Sequence, residues 1–464
     1  VSGDWLVTHI DAEPAMMSPI LDLTDGTGRY ISRLINETLL KIDNETLEWQ
    51  PHLAESWEVS EDHLEYTFKL REDVTFSDGV PMTAHDVKFT FDLINDPKSD
   101  TASLRNYLND FESVEVVDDY TIKFTCGKPY FRHLIVLGDF QVMPKHIYSE
   151  GDINRHPGNR APVGTGPYVF DSWATGQQIV LLRNENYWGE KPYLDKHLFK
   201  IILDDNVAFQ VLERGEVDYL TRINPELWVT KAARPEFEER FYKLTPPSPI
   251  PGYIGRYGYI GWNMRDPRFE DKRVRRALTM LLDRQMILDE FFMGTGRLIS
   301  GDCSPSQPEY DQSIKPWPFD PEAAQALLDE VGWVDSNRDG IREKDGVDLR
   351  FELTFGSGVP QYEQMATVYQ EELKRAGVGM TARPLEWATF QERVQRRTFE
   401  ACMLAWLTVI GPDPYQLFHS SQAENGSNYP GLKNPEADRL IEAIRQEFDE
   451  EKRVALYHQF HAIL

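Results

Sequence analysis

Between Trp57 and Leu70 the chain alternates between apolar and polar positions. Trp57-Glu58-Val59 gives way to Ser60-Glu61-Asp62, after which Tyr66, Phe68 and Leu70 fall on one side and polar residues on the other. A period of two predicts half-buried strands, and the polar triplet between them predicts a tight turn. Arg71-Glu72-Asp73 leads to a further short strand at Val74-Thr75-Phe76, closed by Ser77-Asp78-Gly79. The spacing predicts a meander of short antiparallel strands joined by turns. The period then lengthens. Val87, Phe91 and Ile94 share one helical face, Thr83 and Asp86 have the spacing of a capping box, and Asp96-Pro97 is the stop. A second hairpin follows, with Val114 and Val116 on one arm, Asp118-Asp119 at the turn, and Tyr120, Ile122 and Phe124 on the other.

The last third has a different rhythm. Asp320-Pro321 opens a helix that Gly332 ends, with cap, first-turn proline and terminal glycine in their preferred places. Strands are predicted from Leu349 to Phe355, Val378 to Leu385 and Phe399 to Trp406, with helices from Tyr362 to Ala376 and Thr389 to Arg397 between them. Such alternation predicts a parallel sheet covered by helices. Ligands of open sheets sit beyond the carboxyl ends of the strands. Three such ends are available: Gly356-Ser357-Gly358, Glu386-Trp387 and Trp406-Leu407-Thr408. Between the two halves, Thr245 to Tyr259 is dense in proline and glycine and reads as a connector.

Composition narrows the class. A chain of 464 residues is too long for one core, which predicts two or three domains. With 41% apolar and 27% charged residues it has the make-up of a globular protein rather than a disordered one. No run of eighteen apolar residues occurs, so no bilayer-spanning helix is expected. The net charge of −27 disfavours nucleic acid, and no basic stripe offsets it. Solubility, a salty habitat and a preference for cationic ligands all remain open as its meaning. Cys126, Cys303 and Cys402 permit at most one internal disulfide and leave one thiol over.

Catalytic motifs are scarce. Gly164-Thr165-Gly166-Pro167 lacks the Lys-Ser/Thr pair of a phosphate loop and reads as a tight turn. Gly356-Ser357-Gly358 is too short for a nucleophile elbow. Abundant acids leave a chance carboxylate pair open, but none stands out. His458 and His461 have a metal-compatible spacing on a predicted helix without a third ligand, the alternative being an ordinary helix face. Asp335, Asn337 and Asp339 occupy the first positions of a calcium-type loop, but Gly346 stands where its bidentate Glu belongs. Calcium and a plain Asp/Asn turn are the two readings. No cofactor is expected.

A long, ordered set of segments carries a resemblance. It runs from Pro51-His52-Leu53-Ala54-Glu55-Ser56-Trp57 and Tyr66-Thr67-Phe68-Lys69-Leu70-Arg71 through Phe76-Ser77-Asp78-Gly79-Val80-Pro81-Met82-Thr83-Ala84-His85-Asp86-Val87. It continues with Val163-Gly164-Thr165-Gly166-Pro167-Tyr168, Arg183-Asn184, Tyr187-Trp188-Gly189 and Gly261-Trp262-Asn263. Asp271-Lys272-Arg273-Val274-Arg275-Arg276-Ala277-Leu278 and Asn434-Pro435-Glu436-Ala437-Asp438 complete it. Nearly the whole chain thereby resembles the family 5 extracellular solute-binding proteins, which serve peptide, oligosaccharide and nickel importers.

The resemblance implies an α/β, two-lobed periplasmic binding protein fold of type II, in the large cluster with an inserted subdomain and mixed sheets in each lobe. Residues 1–45 and 166–262 would form the main part of lobe I, 46–165 the inserted subdomain, and 266–464 lobe II. Relatives continue past Leu464, so a final return to lobe I is expected to be missing here. The implied role is the substrate-binding component of an ABC importer, not an enzyme, capturing a small solute between two closing lobes. An oligopeptide is the first expectation, and an oligosaccharide or other non-peptide solute the alternative. A sensing receptor and a secreted hydrolase are the remaining readings. The implied partners are that ligand and a membrane permease, with no nucleic acid, for a monomer in the periplasm or outside the cell. Anchoring through a removed N-terminal segment is left open.

Trp406, Thr408 and Trp387 are the expected ligand contacts, with Asn263 near the crossover as a fourth. Their alternatives are a core role for Trp406 and a hinge hydrogen bond for Asn263. Peptide-binding relatives carry an Asp three residues after the strand-ending tryptophan, where this chain has Val409. Asp413 in Pro412-Asp413-Pro414 comes later and is read as structural. Thr408 and nearby backbone groups would serve a neutral ligand equally well.

Overall fold

The computed structural model describes residues 4–21, 25–43, 48–241 and 253–464. The chain forms two compact units, Val1–Ala232 and Ala233–Leu464. The first part of the expected connector, through residue 252, lies outside the described residues. Its last part, from Tyr253, opens a ten-residue strand, Tyr253–Trp262, paired along its length with Ala401–Val409 of the second unit. Tyr253–Trp262 thus joins the sheet of the second unit, because a continuous ladder of backbone hydrogen bonds outweighs local proline and glycine content.

The first unit holds two larger sheets with separate apolar cores. In one, Tyr219–Leu220, Trp5–Ile10, Lys196–Ile201, Gln178–Arg183 and Tyr168–Ala174 lie side by side, the first two pairings parallel and the rest antiparallel. Its core gathers Ile10, Ile31, Ile179, Leu181 and Phe199. In the other, Ala54–Val59, Glu65–Leu70, Thr121–Cys126 and Phe111–Asp118 form an antiparallel sheet. The alternation seen in sequence is the reason: Tyr66, Phe68 and Leu70 are buried while Glu65 and Lys69 are exposed. Val74-Thr75-Phe76 is not a strand. Only an isolated bridge joins Thr75 to Pro81, since Val74 and Phe76 are buried in a loop beside the sheet.

The helix Ala84–Asn95 covers that sheet. Asp86 accepts from the Thr83 backbone N–H at 2.9 Å and from its hydroxyl at 3.1 Å, fixing the first turn. Gly164 and Gly166 do more than turn the chain. A Cβ at Gly164 would stand 2.1 Å from the Ile35 carbonyl oxygen, and Gly166 donates its N–H to that same oxygen at 2.8 Å. The motif lets two backbones touch. Glu37, also buried, collects the Tyr187 hydroxyl at 2.6 Å, the Trp188 indole N–H at 2.8 Å and His52 at 3.1 Å.

The second unit carries one four-stranded sheet in the order Tyr253–Trp262, Ala401–Val409, Arg350–Gly356, Gly379–Leu385. The last three are parallel, as their alternation with helices predicts, and Tyr253–Trp262 is antiparallel at the edge. One face packs Trp262, Phe351, Leu353 and Met403 under the helices Lys272–Met280, Pro321–Glu330 and Pro360–Arg375. On the other, Phe390, Val394, Phe399 and Cys402 form a smaller cluster with Leu404 and Tyr429. Cys126, Cys303 and Cys402 are all buried free thiols.

Candidate ligand site

Register sets the shape of the site. Leu353 lies opposite Ala401 and Thr354 opposite Cys402, so the Arg350–Gly356 strand ends level with Leu404. The residues from Ala405 to Val409 run on beyond it, and among the described residues Tyr253–Trp262 is the one strand that pairs with them. The two other parallel strands turn away together, where Ser357 donates its N–H to the Leu385 carbonyl at 2.7 Å. A strand that overhangs its neighbours leaves backbone donors and acceptors along one edge open to an extended partner.

Three of the sequence-predicted residues stand at this end. Trp406 is half-buried opposite Tyr257, donates its indole N–H to Tyr259 Oη at 3.0 Å and stacks on Tyr429 with ring centroids 5.7 Å apart. Arg397 lies 4.8 Å over the Tyr429 ring, giving the stack a cationic backing. Trp387 follows the Gly379–Leu385 strand, is 54% exposed, and rests against Phe390 at 5.7 Å. Gly356 makes room for it, since a Cβ there would stand 2.9 Å from Trp387 Cε3. Thr408 is buried opposite Gly255, and its hydroxyl has no hydrogen-bond partner among the described residues.

Asn263 is not among them. Strand pairing is antiparallel, so Asn263 adjoins Glu400 at the start of Ala401–Val409, about 20 Å of strand from Trp406. Its amide donates to the Phe399 carbonyl at 2.9 Å and the Arg397 carbonyl at 3.3 Å, and its Oδ1 accepts from Arg265 Nη1 at 3.1 Å. The side chain is used up in holding a turn. Asp413 is likewise occupied, paired with Arg445 at 3.3 Å and accepting from the Tyr415 N–H at 3.0 Å.

Tyr257, Tyr259 and Tyr429 surround Trp406 at this end of the sheet and were not singled out in sequence. The alternation Tyr257-Gly258-Tyr259 was a usable strand signal, masked by the proline-rich run before it. Asp302 was also missed. It lies in a loop pinned to the helix Glu450–Ile463: its Oδ2 accepts from Tyr457 Oη at 2.8 Å, and Ser300 Oγ meets His461 Nε2 at 3.1 Å. His458 bonds the Pro308 carbonyl at 2.9 Å. The His458/His461 pair therefore works as a loop clasp.

In the calcium-type loop, Asp335 and Asn337 accept from the Asp339 backbone N–H at 3.1 and 2.8 Å, and Asp339 accepts from that of Ile341 at 2.9 Å. These are the bonds of a plain turn. Among the described residues no group of three or more His, Cys, Asp and Glu is placed to hold a metal.

The profile described as "Bacterial extracellular solute-binding proteins, family 5 Middle" matches residues 48–429. The chain belongs to this family. The oligopeptide-binding protein AppA of Bacillus subtilis is 32% identical over 99% of this chain and 83% of its own length. The structure of that protein in complex with a nonapeptide superposes with a TM-score of 0.84, at 31% identity, covering 99% of this chain and 90% of the other. NikZ of Campylobacter jejuni, solved with Ni(L-His), gives 0.81 at 27% identity, with 99% and 90% covered. The fold is thus the mixed α/β fold of the family 5 periplasmic binding proteins, and the protein is a solute-binding component of an ABC importer. Its family works outside the cytoplasmic membrane with an ABC permease. Among the described residues no helix is long and apolar enough to cross a membrane.

Proposed function

We propose that this protein captures peptides and presents them to its permease, without catalysing any reaction on them. The observation that carries the reading is the overhanging end of Ala401–Val409, where Ala405 to Thr408 meet no second strand among the described residues and suit the extended backbone of a peptide, with Trp406 and Trp387 for its side chains. The likeness to an oligopeptide-binding protein across nearly the whole chain supports the same ligand class. Main-chain pairing gives affinity that tolerates sequence, and exposed aromatics give apolar area at small entropic cost.

The protein acts as a monomer in the periplasm or outside the cell, with no nucleic-acid partner; its net charge of −27 supports the last point. Its two units correspond to the two lobes, and residues 46–165, which hold the antiparallel sheet Ala54–Val59, Glu65–Leu70, Thr121–Cys126 and Phe111–Asp118, form the inserted subdomain of the first.

One observation favours a second reading. Val409 stands where peptide-binding relatives carry an Asp, which suits a neutral or metal-chelate solute instead.

Calorimetric titration separates the two. Mixed-sequence nonapeptides are expected to bind with a dissociation constant in the micromolar range or below, while oligosaccharides and Ni(L-His) give no heat. Tight binding of a sugar or of Ni(L-His), with none of peptide, would overturn the peptide reading.

A further inference from the structure

Arg397 stands at φ +59°, in the left-handed region that a bulky side chain rarely enters. A turn needing only that shape would be served by glycine without strain. The residue follows the helix Trp387–Gln395 and precedes the strand Ala401–Val409, so it joins the elements that carry Trp387 and Trp406. Strain of this kind persists only where surrounding contacts impose it, and here the guanidinium makes them.

The guanidinium brackets two segments. Nη1 donates to the Val394 and Gln395 carbonyls at 3.1 and 2.7 Å, at the end of the helix that Trp387 begins. Nε donates to the Ala423 carbonyl at 3.0 Å, and Nη2 donates to that of Gly426. These two carbonyls belong to the short helix Gln422–Asn425 and its C-cap, just ahead of Tyr429. Arg265 grips the same segment, donating to the Ala423 carbonyl from Nη2 and to the Tyr429 carbonyl at 3.2 Å from Nη1. Glu424, the acid near enough for Arg397 to feel, is paired with Lys433 and Arg265 instead. The Arg397 charge lies 4.8 Å over the Tyr429 ring. Tyr429 is thus held by Arg265 on its main chain and by Arg397 on its ring, and that ring stacks on Trp406.

We propose that Arg397 is a positioning residue for ligand binding: it sets the Tyr429 ring, and through it the indole of Trp406, in the orientation that receives the ligand. Each of its contacts serves that end. The fork fixes the 423–426 segment against the end of the Trp387 helix, and the cation holds the ring that the segment carries. Lysine is no substitute, because an ammonium is a point charge and both segments are reached only by a planar fork. The inference rests on the reading of Trp406 as a ligand contact and adds the residue that prepares it.

The test is a double-mutant cycle on the intact protein, read by calorimetric titration with mixed-sequence nonapeptides. Arg397→Gly suits the left-handed turn and removes the fork; it is expected to lower affinity about fivefold, the size of coupling seen between groups in contact. The same substitution is expected to cost nothing further in a Trp406→Ala background. Arg397→Lys is expected not to rescue binding, and near-ultraviolet circular dichroism is expected to lose the aromatic signal of the stack in both Arg397 variants. Arg397→Asn, another residue that tolerates this backbone, repeats the measurement, and thermal melting confirms that each variant is folded. Native affinity in folded Arg397→Gly and Arg397→Asn proteins would overturn the proposal. So would an equal loss in both backgrounds, or failure of both Arg397 variants to fold, which would make the residue purely structural. A Trp406→Ala protein that binds as the native chain does would remove Trp406 from the site and this inference with it. A native chain that takes up no peptide would overturn the peptide reading on which both stand.

Discussion

Trp406 and Tyr429 lie face to face, their ring planes 14° apart and their centroids separated by 5.7 Å. The stack fixes the indole on one side while the Tyr259 hydroxyl fixes its N–H. Trp406 is thus held in one orientation before any ligand arrives, which lowers the entropic cost of contact.

Trp406→Ala is therefore expected to weaken ligand affinity at least tenfold while leaving the protein folded. Calorimetry on the variant, paired with its melting curve, checks this. Unchanged affinity in a folded variant would remove Trp406 from the site.

Trp387 and Asn263 should separate cleanly. Trp387 is 54% exposed, so Trp387→Ala is expected to cost less than about 1 kcal/mol of stability and to lower affinity several-fold. Asn263→Ala should do the reverse. It strands the carbonyls of Arg397 and Phe399 and is expected to cost about 1–3 kcal/mol, with normal affinity in the folded fraction. Denaturant titration and calorimetry on the two variants read both quantities.

Burial pushes Asp302 up to about 6, with repulsion from Glu309 adding to the effect and the Tyr457 hydrogen bond opposing it. The folded state then keeps this proton between about pH 4 and pH 6 where the unfolded chain has lost it, so stability falls as pH rises through that window. Asp302→Asn removes the penalty. The ligand-free variant is expected to be more stable than the native chain at pH 7 by up to about 3 kcal/mol, with the difference closing below pH 4. Urea titrations at the two pH values measure it.

Gly164→Ala is expected to destabilise the first unit by more than about 2 kcal/mol, because the added methyl would collide with the Ile35 carbonyl, a backbone atom that cannot step aside. A loss of melting temperature confined to this variant, and absent from Gly26→Ala, where the space is open and the backbone is not left-handed, checks that the contact is the cause.

Much of this was legible in the sequence where local periodicity and global packing agree. The alternation of Tyr66, Phe68 and Leu70, the cap at Asp320 and the βαβ rhythm after Leu349 all appear as read. Trp387, Trp406 and Thr408 were singled out because ligands of open sheets sit beyond the strand ends, and the structure places them at that end of the sheet. What stayed hidden depends on partners far apart in the chain. Tyr253–Trp262 looked like connector because its neighbours are prolines and glycines, and only Ala401–Val409, some 150 residues on, makes it a strand. Asn263 looked like a site residue because nothing local reveals that Arg397 and Phe399 take up its amide. Asp302 had no motif at all; its place is set by Tyr457, far along the chain.

The most direct test of the central claim is mass spectrometry of the purified protein under native and then denaturing conditions. The account predicts a mass excess in the native spectrum that resolves, on denaturation, into peptides of mixed sequence. A single released sugar or metal chelate in their place would contradict it.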